Sequence, residues 1–218
     1  MNLENSPFFG RFLPALAFAL LASAGLSACA PLMIGGAAVG ALVATDRRTS
    51  GAQLEDEGIE LRAASRLRES LGERAHVNIA SYNRQVLLTG EVPTAQDKQV
   101  VEQVVSRVEN VRAIVNELGV MGSTSLTQRS SDALVTGKVK AGMVDAKDVF
   151  ANAFKVVTER GTTFLMGRVS QREADRATEI ARGTSGVQKV VRIFEIISED
   201  ELKRQLPLPA PTPGEAKK

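Results

Sequence analysis

The chain has 218 residues, 44% hydrophobic and 24% charged, with a formal net charge of +2. That length holds one ordinary domain or two small ones, and the composition is that of a globular protein. One tyrosine, no tryptophan and a near-neutral charge argue against a nucleic-acid binder, and a single cysteine excludes an intramolecular disulfide.

Residues 1–28 read as a lipoprotein signal peptide. Arg11 gives a positive start, weakened by Glu4, and Phe12 to Ala24 gives the apolar run. Leu26-Ser27-Ala28-Cys29 closes it with a small residue before the only cysteine, and this stretch resembles the lipobox of bacterial lipoproteins. The resemblance implies that Cys29 is acylated and begins the mature chain. Ala30 follows it, where an aspartate would imply inner-membrane retention, so the same sorting rules imply the outer membrane. Residues 29–53 form a glycine- and alanine-rich linker. Its apolar stretch, Leu32 to Ala44, is shorter than the roughly 20 residues a spanning helix needs. A single anchor from Phe12 to Ala44 is the competing reading, weakened by Pro14, Pro31 and many small residues.

The remainder contains one pattern twice. Over 54–121, Ile59, Ala63, Leu67 and Leu71 mark a helix that stops at Gly72. Alternation over Val77 to Tyr82 marks a strand, Asn83-Arg84 a two-residue turn, and Gln85 to Thr89 a second strand. Thr94 caps a second helix with a Val100, Val104, Val108 stripe, and a third strand runs from Val111 to about Val120. After a linker at 122–130, residues 131–198 give the same order. Val135, Val139, Gly142 and Met143 mark the buried side of a helix; strands follow at Phe154–Thr158 and Thr162–Met166 about the Arg160-Gly161 turn. Ser170 and Glu173 form a capping box, and a last strand runs from Val187 to about Ile197. Phe150, Phe154 and Phe164 are assigned to the core. Residues 199–218, with four prolines, are expected to be extended and disordered. The fold class is α+β: two tandem αββαβ sandwiches, each a three-stranded sheet covered by two helices.

Val86-Leu87-Leu88-Thr89-Gly90-Glu91-Val92 matches Thr163-Phe164-Leu165-Met166-Gly167-Arg168-Val169. This unit order, with a glycine between second strand and second helix, resembles the BON domain. Together with the lipobox, the linker and Ala44-Thr45-Asp46-Arg47-Arg48, the chain resembles the dual-BON-domain outer-membrane lipoproteins, the division- and outer-membrane-stress-associated lipid-binding protein family. The resemblance implies a periplasm-facing, non-enzymatic lipoprotein. It would bind anionic phospholipids such as phosphatidylglycerol and cardiolipin through the first helix of its second repeat, and maintain outer-membrane integrity. In the family that helix carries a tryptophan two residues after an aspartate; here Leu134 follows Asp132 at that spacing.

The residues add modest support of their own. Ser131 to Ile197 holds eleven lysines and arginines against eight acids, whereas Glu60 to Val120 holds eight of each. Basic residues near an anionic surface contribute about 1 kcal/mol apiece. Leu134 and Lys138 share a helical stripe with Ala141, and Lys140 and Arg129 could flank it. A partly buried helix edge is the plainer reading of the same residues. The alternative function is an adaptor that docks onto outer-membrane assembly proteins. Catalysis finds no motif: His76 is the only histidine, which leaves no multi-histidine metal site, and neither a nucleophile elbow nor a phosphate loop is present. Glu102 and Glu109, or Asp175 and Glu179, read as solvated helix faces, so no catalytic, metal or cofactor site is assigned.

Overall fold

The computed structural model describes residues 46–205. Repeat one comprises helix α1 (Ser50–Leu71), strands β1 (His76–Tyr82) and β2 (Gln85–Val92), helix α2 (Ala95–Ser106), and strands β3 (Ala113–Asn116) and β4 (Gly119–Val120). Repeat two comprises helix α3 (Leu126–Asp145), a 3-10 turn at Ala151–Ala153, strands β5 (Phe154–Glu159) and β6 (Thr162–Val169), helix α4 (Gln171–Gly183), strand β7 (Lys189–Ile196) and helix α5 (Glu199–Gln205). In each repeat the middle strand pairs antiparallel with the first and parallel with the last. The parallel pair requires a crossover, which α2 and α4 supply.

Alternation along the strands distributes their apolar residues among three cores. Val86 and Leu88 face α1 and α2, packing with Ile59, Ala63, Val101 and Val105. Leu165 and Val169 face α3 and α4, packing with Val139, Met143, Ala177 and Ala181. The opposite faces meet: Ala80, Tyr82 and Leu87 of the first sheet pack on Phe164, Met166 and Ile193 of the second. The repeats therefore stack helix, sheet, sheet, helix, and each sheet is covered on both sides.

Several details depart from the pattern read in the sequence. Helices α1 and α3 begin at Ser50 and Leu126, earlier than the repeat starts placed at 54 and 131. The deep residues of α2 are Val101 and Val105, while Val100 and Val104 are only partly buried. Gly90 and Gly167 lie within β2 and β6 rather than after them. Gly90 has φ 105°, and a Cβ there would lie 2.1 Å from the His76 carbonyl oxygen. Opposite this kink the last strand of repeat one breaks into β3 and β4. Asn116 Oδ1 accepts from the Leu118 amide at 3.3 Å, and Leu118 turns into the core. Phe164 belongs to the sheet–sheet core and Phe150 is 41% exposed; of the three phenylalanines, only Phe154 lies in the helix-side core of repeat two. The start of the assigned disordered tail is helical, because α5 buries Leu202.

Candidate functional site

Helix α3 is set in place by its buried side. Ser125 caps it by accepting from the Gln128 amide at 3.2 Å. Val135, Val139 and Met143 enter the core. Buried Asp132 accepts from the Arg160 amide at 2.8 Å and the Gly161 amide at 3.0 Å, tying the helix to the β5–β6 turn. Both turn residues have positive φ, so the carboxylate stabilises a tight turn that would otherwise strand two amides. Asp56 does the same for Asn83 and Arg84 in repeat one. Sequence reasoning used Asp132 only as a spacing mark for Leu134 and did not single out Asp56, so it missed the turn-holding role of both, although each stands at the same place in its repeat.

With that side fixed, the outward face of α3 is determined by helical geometry. It carries Leu126, Leu134 and Val144, exposed by 78%, 68% and 70%. Exposed Ala133, Gly137 and Ala141 fill the space between them. Lys138 and Lys140 are exposed on opposite rims of this stripe. No exposed carboxylate occurs on α3 before Asp145, because Asp132 is buried. Leu134, Lys138 and Lys140 are thus brought onto one surface. Arg129 is not: it lies on the side turned toward repeat one and lines a cavity there. Cys29 lies outside the described residues.

The second built region is the junction of the repeats. Arg47 reaches repeat two, where it pairs with fully buried Glu173 at 2.6 Å and donates to the Arg168 carbonyl at 3.0 Å. Arg48 reaches repeat one, where it pairs with Asp56 at 2.8 Å and stacks 4.4 Å over the Tyr82 ring. Asp46-Arg47-Arg48 is therefore part of the fold and not of a free linker. Across the sheets, Arg160 donates to Glu91 at 2.8 Å; Glu91 also accepts from Thr124 and lies 3.1 Å from His76 Nδ1. Asn78 donates to Glu159 at 2.9 Å, and Lys155 pairs with Glu60.

Burial raises the pKa of Asp56, Glu91, Glu159 and Glu173, and partners decide the outcome. For Glu91 burial is outweighed by donors from Thr124, Arg160 and His76, so its pKa falls below the ordinary value. Asp56 and Glu173 are likewise lowered against burial, by Ser81, Arg84 and Arg48 and by Arg47 and Ser170 respectively. Glu159 goes the other way: burial outweighs Asn78, and the charge of Glu91 adds to the rise. Tyr82 is pushed up to about 12, chiefly by burial.

Among the described residues no group of three or more His, Cys, Asp or Glu could hold a metal ion, and no helix is long and apolar enough to cross a membrane. The BON domain family model matches residues 55–122 and 131–197. The chain belongs to the BON-domain family. It is 39% identical to the outer membrane lipoprotein DolP of Haemophilus influenzae over 84% of this chain and 95% of that one. It is 34% identical to the 21 kDa hemolysin of Actinobacillus pleuropneumoniae over 70% of this chain and 79% of that one. A solved structure of the C-terminal domain of CdsD, a structural protein of the type III secretion system of Chlamydia trachomatis, matches with 11% identity and a TM-score of 0.28, covering 62% of this chain and 96% of that one. Within its family the chain is an outer-membrane lipoprotein.

Proposed function

We propose that this lipoprotein binds anionic phospholipid, phosphatidylglycerol or cardiolipin, through the outward face of α3, and so helps maintain outer-membrane integrity without catalysis. Acyl chains on Cys29 hold it to the membrane. The observation that carries this reading is the stripe of Leu126, Leu134, Ala141 and Val144, open to solvent and bounded by Lys138 and Lys140. An apolar strip with lysines at its rims and no exposed carboxylate before Asp145 suits the boundary between headgroups and acyl chains. Two exposed lysines contribute only about 2 kcal/mol to attraction to an anionic surface. That is weak for a free protein and sufficient for a tethered one, since the anchor raises the effective concentration of lipid at the helix.

Vesicle co-sedimentation tests it. Binding should be strong on phosphatidylglycerol, weak on phosphatidylcholine, and should decline as salt rises, because exposed charges are screened beyond about 10 Å at 0.1 M. Equal binding to both lipids, unaffected by salt, would remove the headgroup reading. It would then favour the alternative, an adaptor docking through an apolar surface onto an outer-membrane assembly protein.

A further inference from the structure

A cavity of about 370 Å³ opens where the C-terminal end of α1 and the start of β1 meet the first turn of α3. Its floor is apolar: Leu67, Leu71, Val77 and Ile79. Its walls carry Arg68, His76 and Arg129, with Ser123 and a single carboxylate, Glu73. Arg47, Arg48, Arg160 and Arg168 each engage a carboxylate, whereas the guanidiniums of exposed Arg68 and half-buried Arg129 make neither an ion pair nor a hydrogen bond among the described residues. Arg129 Nε is sealed from solvent and has no acceptor.

The repeat provides an internal control. In the register that matches Asp56 with Asp132, Arg68 corresponds to Val144 and Arg129 to Gln53. Val144 and Gln53 also line one cavity, together with Asp46, Lys140 and Phe154. The two hollows thus occupy matching places, and each is built from the end of one repeat's first helix and the start of the other's. The second holds an aspartate already bound by Arg48 and lacks both arginines. Only the first combines unpaired guanidiniums with an open apolar floor. Pockets of about 300–1,000 Å³ with apolar walls and few convergent polar groups are the usual form of small-ligand sites.

We infer that this cavity binds an anionic amphiphile, its acid group between Arg129 and Arg68 and its hydrocarbon over Leu67, Leu71, Val77 and Ile79. The site is separate from the outward face of α3, although it takes the same chemical class of ligand. His76 is the only histidine in the chain and lines the cavity, so its ring resonances report occupancy directly.

The experiment uses the full chain in phosphatidylcholine nanodiscs, titrated with octyl phosphate and followed by the NMR signals of His76. Inorganic phosphate supplies the head alone and octanol the tail alone. Octyl phosphate should shift His76 saturably, with an apparent Kd about tenfold tighter than either part. Arg129→Gln and Arg68→Gln should each weaken it about tenfold. Lys140→Gln, in the matching cavity, and Leu134→Glu, on the proposed membrane face, should leave it unchanged. An unaltered titration in both arginine variants, or inorganic phosphate binding as tightly as octyl phosphate, would overturn the inference. Loss of the octyl phosphate response in Leu134→Glu would also overturn it, by assigning the signal to the membrane face. Vesicle binding that fails while this titration succeeds would sink the proposed function and leave the cavity standing.

Discussion

Helices α1 and α3 bury corresponding residues: Asp56 and Asp132 on the turns, Ile59 and Val135, Ala63 and Val139, Leu67 and Met143 in the cores. Their outward faces have diverged. Where α3 shows Ala133, Leu134, Ala141 and Val144, α1 shows Glu57, Gly58, Ser65 and Arg68. Exposed Leu54 and Leu61 on α1 are interleaved with Glu57, which stands where α3 has Ala133, so the strip on α1 is interrupted by a carboxylate. Packing constrains one side of each helix and leaves the other to be set by what it meets. A doubled fold can therefore keep one repeat as a platform and present a sticky surface with the other.

The largest expected difference between the repeats lies in their turn-holding aspartates. Asp56→Ala strands two turn amides and the Ser81 hydroxyl and takes from Arg48 one of its two carboxylate partners, and should cost about 3–5 kcal/mol. Asp132→Ala strands the amides of Arg160 and Gly161 and should cost about 2–3 kcal/mol. Urea unfolding of both variants checks the order; equal losses would mean that Arg48 adds nothing to repeat one. The strand glycines come next. Gly90→Ala combines positive φ with a Cβ 2.1 Å from a carbonyl oxygen and should cost about 3 kcal/mol. Gly167→Ala meets the Ala153 oxygen at 2.7 Å without positive φ and should cost about 1–2 kcal/mol. Melting temperatures in that order support the kink at Gly90 as a feature of repeat one alone.

The smallest effect concerns the buried carboxyls of the junction. The raised pKa of Glu159 means that the folded state favours its neutral form. Its contribution is fully present below the unfolded value of about 4.3 and is lost as pH rises through the folded value. Glu159→Gln keeps an acceptor for Asn78 and should melt above the parent at pH 7, with the gap closing below about pH 4. Asp56, Glu91 and Glu173 have the opposite sign. Their contribution is present above the unfolded value and is lost as pH falls through their folded values, so the parent should lose stability on the acid side.

The architecture was legible because helix and strand periods leave different marks, and because each mark occurs twice. The core faces of α1 and α3, the two turns and the caps at Thr94 and Ser170 all follow from local chemistry. What stayed hidden depends on the other repeat. Phe164 looks like any buried strand residue until the second sheet is placed against it, and Arg47 looks like linker until Glu173 lies within reach. The same holds for the candidate site. Leu134, Lys138 and Lys140 could be grouped from helical spacing alone, whereas Arg129 needed repeat one to show that it turns inward. The stripe's length, from Leu126 to Val144, emerged only once the buried side of α3 was fixed.

The central claim is that α3 and not α1 contacts lipid, and matched substitutions on the two helices test it most directly. Leu134→Glu and Leu61→Glu place the same charge on equally exposed positions, so neither should alter the fold. On phosphatidylglycerol vesicles at low salt, Leu134→Glu should weaken binding about tenfold, and Leu61→Glu should bind like the parent. Full binding by Leu134→Glu, or equal losses in the two variants, would contradict the account.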